Sequence, residues 1–115
     1  STQSRSSAAS DVYKRQIGVP GTQVRVVHMK LGDSVVELFD YRYPQGRPPR
    51  PDAQQCDYGL THIGFLVADF WGTYRHLHDR GVRFLGEPVE VRPGVFVAYF
   101  HGAEHEVCEM REITR

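Results

Sequence analysis

One stretch of this chain has the period of an amphipathic helix, and the apolar runs around it have the period of strands. Residues 70–80 place Phe70, Tyr74 and Leu77 at i, i+4 and i+7, an apolar stripe. Asp69 precedes them, where a side-chain oxygen can accept from the orphan amides of a first turn. Gly81 follows, where a helix commonly ends in a left-handed residue. Upstream, residues 60–67 (LTHIGFLV) read as a strand, with Ile63, Phe65 and Val67 on one face and His62, Gly64 and Leu66 on the other. Downstream, residues 82–84 read as a short strand. Gly86, Pro88 and Pro93-Gly94 then bracket a loop. Residues 95–100 (VFVAYF) and 106–112 (EVCEMRE) complete the set, with a turn opening at His101-Gly102. The order strand–helix–strand–strand–strand confines the chain to a mixed α+β class.

The first half repeats only the end of that order. Residues 23–31 (QVRVVHMKL) and 34–40 (SVVELFD) are rich in β-branched and apolar residues, and Gly32-Asp33 makes the turn between them. Laid on the second half, 23–30 matches 95–100 and 34–40 matches 106–112, so Glu37 and Glu109 take equivalent places. Residues 41–58 hold four of the seven prolines and read as a linker. A strand, a helix and a second strand are missing from the first half.

Residues 1–16 (STQSRSSAASDVYKRQ) have no apolar period and no signal-peptide centre. They read as non-native or disordered. The stretch DVYKRQ back-translates to GAT GTG TAT AAG AGA CAG, which looks like the transposon end used in preparing sequencing libraries. The expectation is a gene model begun inside an adapter fused to a truncated gene. The whole chain is formally neutral, with 14 basic and 14 acidic residues. Residues 17–115 carry 11 basic and 13 acidic residues, a mildly acidic remainder. Nucleic acid is thereby disfavoured as a partner, since phosphate-tracking domains carry a basic excess. No apolar run reaches the roughly 18 residues of a membrane span. The cysteines, Cys56 and Cys108, make no disulfide framework, and a reduced cytoplasmic setting is the simpler reading.

Three residues stand out by position. Glu37 lies between Val36 and Leu38, His62 between Thr61 and Ile63, and Glu109 between Cys108 and Met110. If the apolar neighbours pack against helices, alternation turns Glu37, His62 and Glu109 to the other face of the sheet. Two carboxylates converging on an imidazole need a proton or a cation. A divalent metal is the common solution, and nitrogen with carboxylate oxygen suits Zn, Ni, Co, Mn or Fe. Against this, a glutamate on a sheet face open to water needs no partner, and a lone strand histidine is more often structural than ligating. His101 and His105 read as a solvated hairpin tip. His76 and His78, two apart on a helix, share no face and read as exposed. His28 either lines a cavity or lies at the surface, and the orientation of Arg25 is ambiguous. Cys108 reads as a small buried apolar group. There is no Gly-rich phosphate loop and no supportable Ser-His-Asp arrangement.

The segments THIGFLVAD (61–69), LHDRGVRF (77–84) and 95–112, with VELF (36–39), resemble the vicinal oxygen chelate superfamily. That superfamily holds glyoxalase I, methylmalonyl-CoA epimerase, extradiol dioxygenases and bleomycin-resistance proteins. The resemblance covers about residues 19–113. It implies paired βαβββ modules forming a cupped mixed sheet, the first module being incomplete, with only its last two strands present. Residues 17–40 would be the partial first module, 41–58 the linker and 59–113 the complete second module, all within one glyoxalase-like domain. It also implies metal ligands at the first and fourth strands of each module: His62, Glu109 and Glu37, with the first module's first-strand ligand lacking a counterpart. The turn before the last strand, often Asp-Pro-x-Gly-Asn in the superfamily, is Gly102-Ala103-Glu104-His105-Glu106 here.

A glutamate at position 37 points to the four-ligand branch of lyases and epimerases. The implied chemistry is proton transfer next to a carbonyl of a small-molecule substrate. A divalent metal ion would be the cofactor, and Glu109 or Glu37 the base. The competing class is a metal-free drug-binding protein of the bleomycin-resistance type, or an inactive fragment. A homodimer is expected in either case, because an unpaired sheet edge would otherwise remain.

Overall fold

In the computed structural model, the described residues are 2–5, by their backbone, and 18–113. The remainder of the 1–16 segment read above as non-native or disordered lies outside them. The chain divides into two compact units, residues 1–51 and 52–115.

The first unit is an antiparallel sheet in the order β1-β2-β3, from β1 (Thr2–Arg5), β2 (Gln23–Leu31) and β3 (Ser34–Tyr43). Leu31 pairs with Ser34, so Gly32 and Asp33 form a two-residue hairpin loop, as their types predict. Gly32 sits at φ 59°, a conformation glycine adopts without steric cost. Val24 and Val26 are buried, Arg25 between them is exposed, and this settles the orientation of Arg25. The last strand runs three residues beyond the expected Asp40, through Tyr41, Arg42 and Tyr43. The pairing continues because Tyr41 and Tyr43 meet Val24 and Gln23 on β2. The strand thus ends at the residue before Pro44.

The second unit is a four-stranded mixed sheet in the order β4-β7-β6-β5. Its strands are β4 (Ile63–Val67), β5 (Val89–Arg92), β6 (Val95–His101) and β7 (Val107–Glu112), with helix α1 (Phe70–Asp79) between β4 and β5. β4 pairs parallel to β7, and the other neighbours are antiparallel. Asp69 caps α1, its carboxylate accepting from the Gly72 amide at 3.0 Å. Arg80 closes the helix and Gly81 follows at φ 85°, as expected of a glycine at that position. The stripe Phe70, Tyr74 and Leu77 packs with Val67, Phe84, Phe96, Phe100, Ala98 and Met110 into the core of this unit. Rings interlock there: Tyr74 and Phe84 centroids lie 4.6 Å apart, and Phe70 and Phe96 lie 5.8 Å apart.

Two strand expectations are corrected. Of residues 82–84, only Phe84 makes a bridge, to Phe100. The edge strand is instead Val89–Arg92, within the stretch read as loop. Its alternation of Val with charged residues suits an edge strand, and Pro93-Gly94 supplies the two-residue turn into Val95. The strand expected from residue 60 begins at Ile63. Ile63 pairs with Cys108, the second residue of β7, so Leu60 and Thr61 run past the start of their partner strand.

Cys108 is buried and Cys56 exposed. Burial pushes the Cys108 thiol above its ordinary value, and Glu106 adds to the effect. A thiol reagent is expected to modify Cys56 alone in the native protein and both cysteines in denaturant. Fast native reaction of Cys108, read by mass spectrometry on peptides, would contradict this packing. Among the described residues no helix is long and apolar enough to cross a membrane.

Candidate functional site

The side of the β4-β7-β6-β5 sheet opposite the core carries the polar residues. Cys108 and Met110 are buried, so Glu109 and Arg111 take the other face of β7. Across the antiparallel ladder Glu109 stands opposite Tyr99 and Arg111 opposite Val97. On the other side the backbone neighbour of Glu109 is Gly64, which has open space where a side chain would begin. His62 is on the same alternation as Gly64. Its Nε2 lies 3.2 Å from Oε2 of Glu109. The side chains are about a third and a fifth exposed, 33% and 20%. The structure thus brings together His62 and Glu109, two of the residues picked out by sequence.

Further groups fix this pair. The Tyr99 ring stands edge-on to His62, centroids 5.3 Å apart. Its hydroxyl interacts with the Glu109 carboxylate. That interaction, desolvation and the negative charge of Glu109 raise the Tyr99 pKa above its ordinary 10.0, with Arg111 opposing them. The folded chain thus holds this proton more tightly than the unfolded one. The resulting stabilisation is complete below pH 10.0 and is lost as pH climbs through the raised value. On the far side of the imidazole, Nδ1 lies 3.2 Å from Oε1 of Gln55 and 2.9 Å from Oγ1 of Thr61. Gln55 Nε2 donates to the Thr61 carbonyl at 3.2 Å, which turns its Oε1 toward the ring. The nearer Thr61 hydroxyl can accept from Nδ1 or donate to it, but an amide oxygen only accepts, so Nδ1 carries the proton wherever it bonds Gln55. Nε2 then presents its lone pair to a carboxylate oxygen, unless a proton or a cation lies between them. Two donors each about 2.1 Å from a common ion stand about 3 Å apart, so this pair fits one edge of a metal coordination sphere.

The pair opens onto a cavity of about 720 Å³. Leu85, Val89, Val91 and Val97 supply an apolar wall, and Gln55, Thr61, His62, Glu87, Tyr99, Glu109 and Arg111 supply polar groups. All of these residues belong to the second unit.

Glu37 lies in the first unit, opposite His28 across the β2–β3 ladder. His28 Nε2 is 3.4 Å from Glu37 Oε2, with side chains 19% and 46% exposed. The internal repeat extends to these partners: Glu37 faces His28 as Glu109 faces Tyr99. Among the described residues no three His, Cys, Asp or Glu side chains gather as a metal-holding group. His76 and His78 are exposed, as expected. His101 is engaged locally, its Nδ1 hydrogen-bonding the His105 carbonyl at 3.1 Å. The turn that departs from Asp-Pro-x-Gly-Asn closes with Gly102 and Glu106 hydrogen-bonded and His105 at φ 67°.

Sequence reasoning missed Tyr99, Gln55 and Arg111. For Tyr99 and Arg111 the signal existed: within VFVAYF and EVCEMRE, alternation puts both on the face of Glu109. Gln55 gave none, because it comes from the proline-rich connection.

Comparison with known proteins agrees with this fold. A family model described as Glyoxalase/Bleomycin resistance protein/Dioxygenase superfamily matches residues 8–106. The uncharacterized protein YaeR of Escherichia coli (strain K12) is 39% identical over 62 residues, which are 54% of this chain and 43% of that protein. The uncharacterized protein YwkD of Bacillus subtilis (strain 168) is 34% identical over 62 residues, 54% of this chain and 44% of that one. The match therefore spans under half the length of these curated relatives. A crystal structure of a glyoxalase family protein from Bacillus cereus superposes with a TM-score of 0.81 at 20% identity, covering 97% of this chain and 74% of that one. By its α+β architecture and by the family model that spans most of its length, the chain belongs to the glyoxalase/bleomycin resistance/dioxygenase superfamily, the vicinal oxygen chelate proteins.

Proposed function

We propose that this protein is a metal-dependent lyase or epimerase that moves a proton at a carbon next to the carbonyl of a small molecule. The observation that carries the reading is the His62–Glu109 pair at 3.2 Å, with Nδ1 of the imidazole held by Gln55 and Thr61 on the far side. A histidine whose second nitrogen is held by a neighbouring acceptor has the arrangement typical of a metal ligand. His62 and Glu109 would hold the ion, and a further ligand at Glu37 is what the superfamily pattern implies. When bound, a divalent ion supplies Lewis-acid polarisation of the carbonyl and enolate oxygens. The residues of the chain do the rest. Tyr99 orients the Glu109 carboxylate through its hydroxyl and keeps the His62 ring in place through its edge contact. Glu109 or Glu37 takes the proton from carbon and returns it. The apolar wall of Val89, Val91 and Val97 receives the unreactive part of the substrate and limits water beside it. Pairing of two chains belongs to the same reading.

The reading is tested by titrating the metal-free protein with Ni²⁺, Zn²⁺, Co²⁺ and Mn²⁺ in a calorimeter. Stoichiometric binding that is lost in His62→Ala is expected. Deuterium exchange next to the carbonyl, across a panel of thioesters and hydroxyketones, is expected from the loaded protein. No metal uptake, with saturable binding of an aromatic drug instead, would favour the ligand-sequestering class. The apolar wall of the cavity is the feature that supports that second class.

A further inference from the structure

Arg111 lies on the wall of the cavity and is half-buried. It shares a strand face with Glu109, two residues away, and stands opposite Val97 on β6. Among the described residues no carboxylate lies within ion-pair distance of its guanidinium. Glu87 and Glu109 also line the cavity without pairing to it. A partly desolvated guanidinium is costly without an acceptor, and its planar fork matches carboxylate or phosphate oxygens. The same cavity has apolar lining from Val89, Val91, Val97 and Leu85. A guanidinium, an apolar wall and the His62–Glu109 pair thus line a single cavity.

We infer that Arg111 is an anion-binding residue of this site, and that the site takes small carbonyl compounds bearing a carboxylate on a short apolar chain. The carboxylate docks on the Arg111 fork, the chain lies along Val89, Val91 and Val97, and the carbonyl is presented toward His62 and Glu109. The inference that the anion belongs to a carbonyl substrate rests on the proposed lyase or epimerase reading. The anion subsite itself needs only Arg111 and the cavity.

The test uses the full chain stripped of metal, so that the probe's carboxylate has no ion to bind. The probes are 5-oxohexanoate, whose carboxylate and carbonyl are joined by a short methylene chain, and its neutral methyl ester, with affinities read by ligand-observed NMR. The acid is expected to bind about tenfold or more tightly than the ester, as a charge-assisted pair allows. Arg111→Gln removes that preference, and Arg111→Lys keeps part of it because the charge remains. Circular dichroism is expected to show Arg111→Gln folded like the unsubstituted protein. Equal affinity for acid and ester in the unsubstituted protein overturns the inference, as does a preference that persists in full in Arg111→Gln. Inorganic phosphate competing as well as the acid would shift the ligand class from carboxylate to phosphate and overturn it too. Failure of the unsubstituted protein to bind Ni²⁺ would sink the lyase reading but leave the acid-over-ester preference standing.

Discussion

Phe70→Ala is expected to destabilise the second unit by about 3–5 kcal/mol, the range for truncating a buried aromatic residue. Phe70 is fully buried at the first turn of α1, and its ring meets Phe96, Trp71 and Tyr74. No neighbour can fill the space without leaving its own contacts. The α1 stripe also closes the core face of the sheet, so the loss would reach Met110 and Ala98 on β7 and β6. Trp71→Ala, one residue along, should cost much less, because Trp71 is 40% exposed. Urea unfolding followed by circular dichroism checks both. Equal midpoints for the two variants would show that the helix does not pack as described.

Glu109→Gln is expected to abolish proton exchange and to weaken metal binding by at least about a hundredfold, since a neutral amide is a poor ligand and no base. Tyr99→Phe keeps the ring and removes the hydroxyl. It should weaken metal binding by about 10–100-fold, the usual effect of losing a group that orients a ligand. Gln55→Leu should act similarly through His62. Calorimetry with Ni²⁺ on all three, with circular dichroism to confirm folding, separates the roles. Retained exchange in both Glu109→Gln and Glu37→Gln would exclude carboxylate base chemistry. An unchanged affinity in Tyr99→Phe would reduce Tyr99 to a structural neighbour.

Much of the second unit was legible because its signals are local. The helix from Phe70 has its cap, its stripe and its terminal glycine within a dozen residues, and all three hold. The alternation around Cys108, Glu109 and Met110 fixed which side chains face the core. The edge strand Val89–Arg92 was missed because four residues between prolines and glycines carry too little pattern to compete with a loop reading. The start of β4 was misjudged because a strand ends where its partner does, which no local pattern states.

The internal repeat was legible in part. It paired Glu37 with Glu109, and the structure adds the cross-strand partners His28 and Tyr99. That addition needed the ladder register, which depends on turn lengths and on which strands become neighbours.

The sequence by itself determined the class of fold, the helix and its ends, and the face on which Glu109 lies. Each follows from backbone periodicity and from residues adjacent in the chain. Only the tertiary structure decided that His62 meets Glu109, that Tyr99 and Gln55 hold them from either side, and that Arg111 shares their cavity. Those contacts join the residues before β4 with β6 and β7. Such segments, separated in the chain, converge through strand register and the parallel pairing of β4 with β7, and these are global properties of the folded sheet.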